Sequence, residues 1–237
     1  MNEVLDEIKK GPYWQFRFFP NKVDDSDKDV IQSLNDLKKL IETSQVRLRY
    51  WYFPHINHER FLPKENYFEI ETIFDETKEF WRFYQSGQFI MFANVYEDAL
   101  VKQKRMPYWP PFGSNNPKGY VEFLITIYHI TEFYLFTKRI LDKVPQIQEL
   151  NIELSINNIE GYELFSGEFK RELFSSYTSS SQVIRIPLKT LKREALISSY
   201  SKIALEDVKY IFERFNWLEQ PTLIFEEEQA KLLERRI

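Results

Sequence analysis

Three short segments with an unusual density of aromatic rings constrain the fold more than any other feature of the sequence. They are residues 13–19 (YWQFRFF), 47–53 (RLRYWYF) and 79–92 (EFWRFYQSGQFIMF). Aromatic and β-branched side chains are enriched in strands, where they pack on a half-buried pleated surface. Because residues two apart lie on the same face of a strand, Arg47 and Arg49 would share one face. The sequence therefore predicts a sheet that is rich in rings and carries arginines.

The order of the first elements favours a mixed fold of strands and helices. Apolar residues three and four apart predict a helix over residues 29–43, between predicted strands at 13–19 and 46–53. This order favours a βαβ-like unit, with an antiparallel arrangement as the alternative. We therefore expect an α/β fold, with α+β as the alternative, built on a mixed sheet with many aromatic residues.

The residues that follow allow two interpretations. Residues 67–74 alternate between apolar and polar side chains and are predicted to form a strand. Residues 77–96 fit two strands that turn at Ser86 and Gly87, but also a helix over 77–84 followed by a strand over 88–96. Helical and strand patterns overlap in so short and so aromatic a stretch.

The second half of the chain is predicted to be rich in helices. Residues 120–141 are mostly apolar but include Glu122, His129 and Glu132. A membrane-spanning helix needs about 20 residues with few or no charges, so a long buried core helix fits this stretch better. Further elements are predicted downstream: strands near 150–156 and 183–187, and helices near 205–217 and 225–236.

A proline-rich loop divides these two halves. Residues 102–119 contain four prolines and the run Gly-Ser-Asn-Asn, which regular helices and strands do not accommodate. We expect a single domain over residues 1–237, or two lobes joined by this loop. The lobes would be a strand-rich one over residues 1–101 and a helix-rich one over residues 120–237.

The composition excludes several functional classes. With only 6 glycines and neither GxGxxG nor GxxxxGK[ST], the chain lacks the glycine-rich loops that cradle phosphates in dinucleotide-binding and P-loop folds. A net charge of −4 argues against a protein that coats DNA through a uniform basic field. The absence of cysteine excludes disulfides, thiol catalysis and thiolate metal sites.

The N-terminal residues indicate where the protein acts. They contain acidic side chains where a secretory signal needs a basic start followed by an apolar run. The lack of cysteine is compatible with a reducing compartment. We therefore expect a cytoplasmic protein that does not interact with a membrane.

The arginine-bearing sheet is the first candidate site. Its candidate ligand-binding residues are Arg17, Arg47, Arg49, Trp51, Arg82 and Gln85. Guanidinium groups among aromatic rings suit a single-stranded nucleic acid or a small anionic ligand, through phosphate or carboxylate contacts and ring stacking. In the alternative interpretation, the arginines pair with acids such as Glu69 and Glu71 while the rings form the core.

The three histidines suggest a second candidate site. His55 and His58 lie in one short loop segment, while His129 and Glu132 share a polar stripe on the long helix. If the segment folded over that stripe, nitrogen and carboxylate ligands for a divalent metal would converge, as a hydrolase or nuclease requires. The spacing lacks the helical HExxH pattern, so structural histidines are the alternative.

Several of these segments together resemble a known bacterial region. The strings VRLRYWYFPH at 46–55, EFWRFYQSGQF at 79–89 and YHITEF at 128–133 are similar to the uncharacterised region that follows the Schlafen/AlbA-type putative DNA-binding domain in many bacterial proteins. The resemblance covers about residues 11–165. It implies a role beside nucleic-acid or phage-defence machinery, with a protein partner, and it supplies no catalytic residues. The chain shows no AlbA-like domain upstream, so we expect a separate polypeptide to supply that function or the module to act alone.

Three functional hypotheses follow from these patterns. The first is a non-catalytic module that binds a ligand or a partner and needs no cofactor. The second is a metal-dependent hydrolase or nuclease that uses the histidine site. The third is a structural subunit of a larger assembly, which predicts an exposed apolar patch.

Overall fold

The computed structural model describes residues 2–21, 29–56, 61–103, 117–168, 171, 173 and 175–237. Within these residues, helices and strands combine in a mixed fold, which confirms the predicted class. The helices are α1 (Glu3–Ile8), α2 (Leu34–Ser44), α3 (Tyr96–Lys102), α4 (Phe123–Lys143), α5 (Arg193–Arg214) and α6 (Thr222–Leu233). The strands are β1 (Tyr13–Pro20), β2 (Leu62–Pro63), β3 (Tyr67–Phe74), β4 (Thr77–Tyr84), β5 (Phe89–Asn94), β6 (Gly119–Glu122), β7 (Glu149–Asn157), β8 (Tyr162–Phe165), β9 (Val183–Arg185) and β10 (Lys189–Lys192).

The main sheet is antiparallel. Its strands lie in the order β10-β7-β1-β5-β4-β3-β2, and β9 also pairs with β7. The expected parallel βαβ unit is therefore wrong, because β1 pairs with β5 and β7 rather than with the segment that follows α2. Strands β6 and β8 form a separate parallel pair. Since β1 bridges β5 and β7, the main sheet runs across the boundary between the two proposed lobes.

Strict alternation along β1 separates the two faces of the sheet. Trp14, Phe16 and Phe18 are buried, while the residues between them are partly exposed. The buried rings face α4, where the centroids of Phe16 and Phe133 lie 5.1 Å apart. We call this helix-covered side the inner face and the opposite side the outer face. The predicted aromatic sheet is thus confirmed, and its rings form the protein core on the inner face.

The ambiguous stretch forms two strands. β4 and β5 pair in antiparallel register, with Phe83 opposite Phe89. Gly87 adopts a φ of +83° in the turn between them, a conformation that L-amino acids with a side chain rarely adopt. The Ser-Gly turn therefore decides in favour of the hairpin over the helix.

The predicted strand at residues 46–53 is wrong. Only its ends pair, through backbone hydrogen bonds of 2.8 Å from Val46 N to Phe53 O and 2.7 Å from Phe53 N to Val46 O. The chain between them closes into a loop, which we call the 46–53 loop. Its arginines and rings therefore do not alternate between the two faces of a sheet.

Helix α2 begins later than its apolar pattern predicts. Ser33 is the N-cap, and its Oγ accepts a hydrogen bond of 3.1 Å from the Asp36 backbone N–H. A serine cap satisfies one of the free backbone donors of the first turn, so the helix starts at Leu34 rather than at residue 29.

Helix α4 forms the centre of the molecule, as the sequence predicts for a long buried helix. It is buried along most of its 21 residues, between the inner face of the sheet and the helices α5 and α6. Tyr134 on α4 and Lys189 on β10 both bind the buried carboxylate of Asp207 on α5. No helix among the described residues is long and apolar enough to cross a membrane.

The outer face has a different cover. The short helix α1 packs Val4 and Ile8 on Phe80 and Phe92, in a small apolar cluster over β4 and β5. On β1, β7 and β9, the outward residues are mostly polar.

Candidate functional site

Two of the candidate arginines lie on the outer face and are neutralised there. Register places Arg17 and Arg82 on either side of Ile90, in one row across β1, β5 and β4. Arg17 pairs with Glu153 at 3.1 Å, and Arg82 pairs with Glu69 at 2.6 Å. Arg17 and Arg82 therefore follow the alternative interpretation, in which the arginines pair with carboxylates.

The other members of the proposed sheet face do not join them. Gln85 is buried, and its amide Nε2 donates a hydrogen bond of 2.9 Å to the backbone oxygen of Ile31, so it ties two chain segments together. Arg47 is exposed on the 46–53 loop, with its guanidinium 5.2 Å from the Tyr52 ring centroid. The six candidate residues therefore do not form one continuous face, because the 46–53 loop is not a strand.

Arg49 points from this loop into the protein. Its Nε lies 3.1 Å from Glu132 Oε1 on α4, and its Nη2 also bonds Glu132 Oε2, so the pair is bidentate. The side chains are 6% and 0% exposed. Burial alone would lower the pKa of Arg49, but Glu132 more than offsets this effect and raises it, so the guanidinium stays charged. Burial raises the pKa of Glu132, and Arg49 opposes that shift.

A cavity of about 360 Å³ opens beside this ion pair. Its lining is mainly aromatic and apolar, with two guanidinium groups, and consists of Leu48, Arg49, Tyr50, Trp51, Tyr96, Ile125, Tyr128, Arg235 and Ile237. Ligand sites in proteins are typically about 300–1,000 Å³ and combine apolar walls with a few fixed polar groups. We call this the Arg49 cavity, and it has the size and chemistry of such a site.

The guanidinium of Arg49 is held between rings and still has one unused donor. Its carbon lies 5.2 Å from the Trp51 ring centroid and 5.9 Å from that of Tyr128. The third nitrogen, Nη1, is buried and has no hydrogen-bond partner among the described residues. Buried polar groups are nearly always hydrogen-bonded, so such an exception indicates a missing acceptor.

Two histidines lie next to the ion pair. His55 Nδ1 is 2.9 Å from Glu79 Oε1, and the His55 and Trp51 ring centroids are 6.1 Å apart. Burial alone would lower the pKa of His55, but Glu79 reverses the shift and raises it. His129 on α4 is buried, its Nδ1 has no described partner, and burial together with Arg49 lowers its pKa well below the usual value. His129 is therefore neutral at physiological pH.

The proposed metal site gains no support from this arrangement. The structure brings His55, His129 and Glu132 into one neighbourhood, whereas His58 lies outside the described residues. Both oxygens of Glu132 bind the Arg49 guanidinium, which already supplies the positive charge that a metal would bring. In the part of the chain that the structure describes, no group of three or more histidines and carboxylates is placed to hold a metal ion.

Two further carboxyl groups are buried close to the cavity. Glu97 on α3 is fully enclosed, and neither of its oxygens has a hydrogen-bond partner among the described residues. Burial raises its pKa to about 8, and the nearby Glu122 adds to the shift. Glu122 caps α4 by accepting a bond of 2.5 Å from Ile125 N and one of 3.0 Å from Gly167 N, and burial raises its pKa to about 7. Glu97 is therefore mainly protonated at neutral pH.

Sequence reasoning found part of this site and missed the rest. It singled out Arg49, Trp51 and Glu132, but assigned them to two different sites. Tyr96 and Tyr128 were missed as cavity residues, since a tyrosine at the start of a short helix or in an apolar helix carries no signal that distinguishes a cavity wall from core. The pairing of Arg49 with Glu132, 83 residues apart, joins the 46–53 loop to α4.

Comparison with known proteins adds no identification. None of the protein-family models matches the chain, and neither the curated proteins nor the solved structures contain a match. The geometry of the Arg49 cavity is therefore the basis for a functional proposal.

Proposed function

We propose that this chain is a non-catalytic binding module whose Arg49 cavity takes a small ligand with a planar ring and one anionic group. The observation that carries this proposal is the buried Nη1 of Arg49, a charged donor without a described acceptor at an aromatic cavity. A carboxylate or phosphate oxygen of the ligand would supply the missing acceptor, as a charge-assisted hydrogen bond.

The aromatic walls suit the ring of such a ligand. Trp51 and Tyr96 meet edge to face, with centroids 5.9 Å apart, and Tyr50 extends outward with 92% of its surface exposed. Stacking on exposed rings stabilises planar groups of many kinds, because every such group has a π face. Because Nη1 is enclosed, a ligand would reach it only if Trp51 or Tyr128, the rings that flank the guanidinium, rotated.

The chemistry of the lining favours binding over turnover. Its described side chains include no serine, histidine or carboxylate that would act as a nucleophile or general base. Burial raises the pKa of both Tyr96 and Tyr128, so their phenols remain protonated hydrogen-bonding groups. The lining therefore provides orientation and charge complementarity, which a binding module needs.

Isothermal titration calorimetry with three probes tests this function. Indole-3-acetate combines a ring with a carboxylate, AMP combines a base with a phosphate, and hexathymidylate presents the same groups within a single strand. We expect at least one probe to bind, with affinity reduced at least about tenfold in W51A and in R49K, which keeps a charge opposite Glu132. R47A is the matched control on the same loop and should bind like the wild type.

The outcomes separate the possibilities that the resemblance raises. Tighter binding of hexathymidylate than of AMP, with a steep salt dependence, would support a single-stranded nucleic acid as the ligand. Equal binding of AMP and hexathymidylate would support a free nucleotide or a strand end. If no probe binds, or if R47A and W51A bind equally, the proposal is wrong.

A further inference from the structure

A second, independent feature lies on the outer face of the sheet, opposite the protein core. Along β7, apolar residues point inward, and the outward positions are all polar: Glu149, Asn151, Glu153, Ser155 and Asn157. Three of these outward side chains are nearly enclosed: Ser155 with 4%, Asn151 with 6% and Asn157 with 7% exposure. Ser155 also lines a cavity, so the outer face has a depression at this position.

Three strands contribute to this depression, which we call the polar trough. Gln15 on β1, Ser155 on β7 and Arg185 on β9 lie directly opposite one another in register, and Arg17 lies opposite Glu153 in the next row. A cavity of about 350 Å³ occupies the site, lined by Gln15, Glu153, Leu154, Ser155, Arg185, Ile186 and Leu188. Side chains on neighbouring strands of one sheet are held at fixed separations, as a binding site requires.

The trough retains unused hydrogen-bonding capacity. Arg17 Nε is buried and has no partner among the described residues. Ser155 Oγ accepts a bond of 3.0 Å from Asn157 Nδ2, and its own proton is donated to no described residue. The side chains of Gln15 and Arg185 make no hydrogen bond within the described chain. Of these residues, Gln15, Ser155 and Arg185 line the cavity, so their donors and acceptors face a common space, while Arg17 lies beside it.

The charges of the trough restrict its ligand. Glu153 and Arg17 neutralise each other at 3.1 Å, which leaves Arg185 as the one uncompensated charge among the lining residues that the structure describes. A polyanion such as nucleic acid would meet the carboxylate of Glu153 and only one free guanidinium. An apolar ligand would leave the buried polar groups unsatisfied, which is costly. A hydroxyl-rich ligand with at most one negative charge avoids both problems.

We propose that the polar trough is a binding site for a saccharide. Vicinal hydroxyls are both donors and acceptors, and they match the amide of Gln15, the carboxylate of Glu153 and the guanidinium of Arg185, which line one cavity. Leu188, which is 58% exposed at the rim, offers an apolar edge for the ring carbons of a sugar. This site does not depend on the Arg49 cavity, because its residues belong to other strands and lie on the opposite face of the sheet.

Protein-observed NMR tests this proposal with four soluble probes: maltotriose, cellotriose, tri-N-acetylchitotriose and 3′-sialyllactose. In transverse-relaxation-optimised spectra of the full chain, we expect saturable shifts of the backbone amides of residues 13–17, 153–157 and 183–188 with at least one probe. R185A, at an exposed position, and Q15L should each weaken that binding at least about fivefold. R82A is the control, since Arg82 lies on the same face but outside the trough.

The result decides the proposal in either direction. Shifts confined to these three segments and reduced in both R185A and Q15L would support a saccharide site. Absence of shifts with all four probes at about 10 mM would overturn it, as would shifts that R82A reduces equally. Preferential binding of hexathymidylate to the trough would also overturn it, in favour of nucleic acid.

Discussion

Arg49 and Arg82 form the same type of ion pair in two regions that differ in solvent exposure. The Arg82–Glu69 pair lies on the outer face, with side chains that are 35% and 12% exposed. The Arg49–Glu132 pair lies under the 46–53 loop, with side chains that are 6% and 0% exposed. Both arginines were expected on one sheet face, yet one is a surface residue and the other is part of a buried polar cluster.

Burial, rather than the identity of the partners, determines how much the loss of such an ion pair destabilises the fold. Water screens the exposed charges, so an exposed pair contributes about 0–1 kcal/mol. Removal of one partner from a buried pair leaves an uncompensated charge in a medium of low polarity, at a cost of about 3–5 kcal/mol. The energetic role of each arginine is therefore fixed by the chain segment that carries it.

Arg49→Met should give the largest effect. The substitution keeps most of the side-chain volume but leaves Glu132 buried without its cation, so we expect the free energy of unfolding to fall by about 3–5 kcal/mol. Urea denaturation followed by circular dichroism measures this. Arg47→Met on the same loop is the control and should change stability by less than about 0.5 kcal/mol. A loss below about 1 kcal/mol in R49M would remove the distinction between the two pairs.

Glu97 extends this comparison to a buried carboxyl whose oxygens have no hydrogen-bond partner among the described residues. Its pKa in the folded state is raised from 4.5 to about 8, so the folded state binds more protons than the unfolded state between these values. The contribution of Glu97 to stability is therefore full below about pH 4.5 and is lost as the pH rises toward 8, by roughly 3 kcal/mol between about pH 5 and pH 8.

Glu97→Gln tests this effect, since it keeps the shape and removes the titration. We expect E97Q to unfold at the same free energy as the wild type near pH 5 and to be more stable than it near pH 8. Urea denaturation at both pH values, with the exposed Glu160→Gln as the control, makes the comparison. An identical pH dependence in wild type and E97Q would show that Glu97 is ionised in the fold.

Replacing both members of the buried pair should restore much of the stability. In R49M/E132L, no buried charge remains at this pair, and the double variant should lie within about 1–2 kcal/mol of the wild type. The double-mutant cycle with R49M and E132L gives the coupling energy directly. If R49M/E132L is no more stable than R49M, the loss in the single variant comes from packing rather than from the unpaired charge.

The smallest effect is expected on the outer face. Arg82→Ala and Glu69→Gln should each lower stability by about 0.2–1 kcal/mol, and the difference should shrink as salt is raised. Thermal unfolding at low and high ionic strength detects the change. A loss above about 2 kcal/mol that is insensitive to salt would place this pair in the same class as Arg49–Glu132.

The fold followed from local patterns where a pattern had one explanation. Alternation in β1 and the apolar run of α4 depend on neighbours in sequence, and these elements were predicted. The hairpin of β4 and β5 was one of two interpretations, and the structure selects it at the glycine turn. Residues 46–53 have the same ring-rich composition as a strand, but only Val46 and Phe53 pair. Strand propensity is weak evidence for a strand unless a partner strand is available, and the sequence of the segment does not indicate whether one is.

The candidate site was less predictable, because it depends on contacts between distant segments. The sequence indicated the importance of Arg49 and of Glu132, and nothing in either segment showed that they bind each other. The polar trough was foreseen only through Arg17 on β1, one of the predicted candidate residues of the sheet. Its other half comes from β7 and β9, more than 130 residues away, and register alone brings them together.

The carboxylate of Asp207 has a consequence for how the molecule opens. From its position on α5, it binds Tyr134 on α4 and Lys189 on β10. If any one of these elements separated from the others, a buried charge or hydroxyl would lose its partner, which is costly. In native-state hydrogen exchange, amides of α4, α5 and β10 should therefore share one opening free energy and behave as a single cooperative unit. Strand β10, at the end of the sheet, would therefore open together with the helices. Helix α4 also carries Glu132, so it connects this unit to the Arg49 cavity.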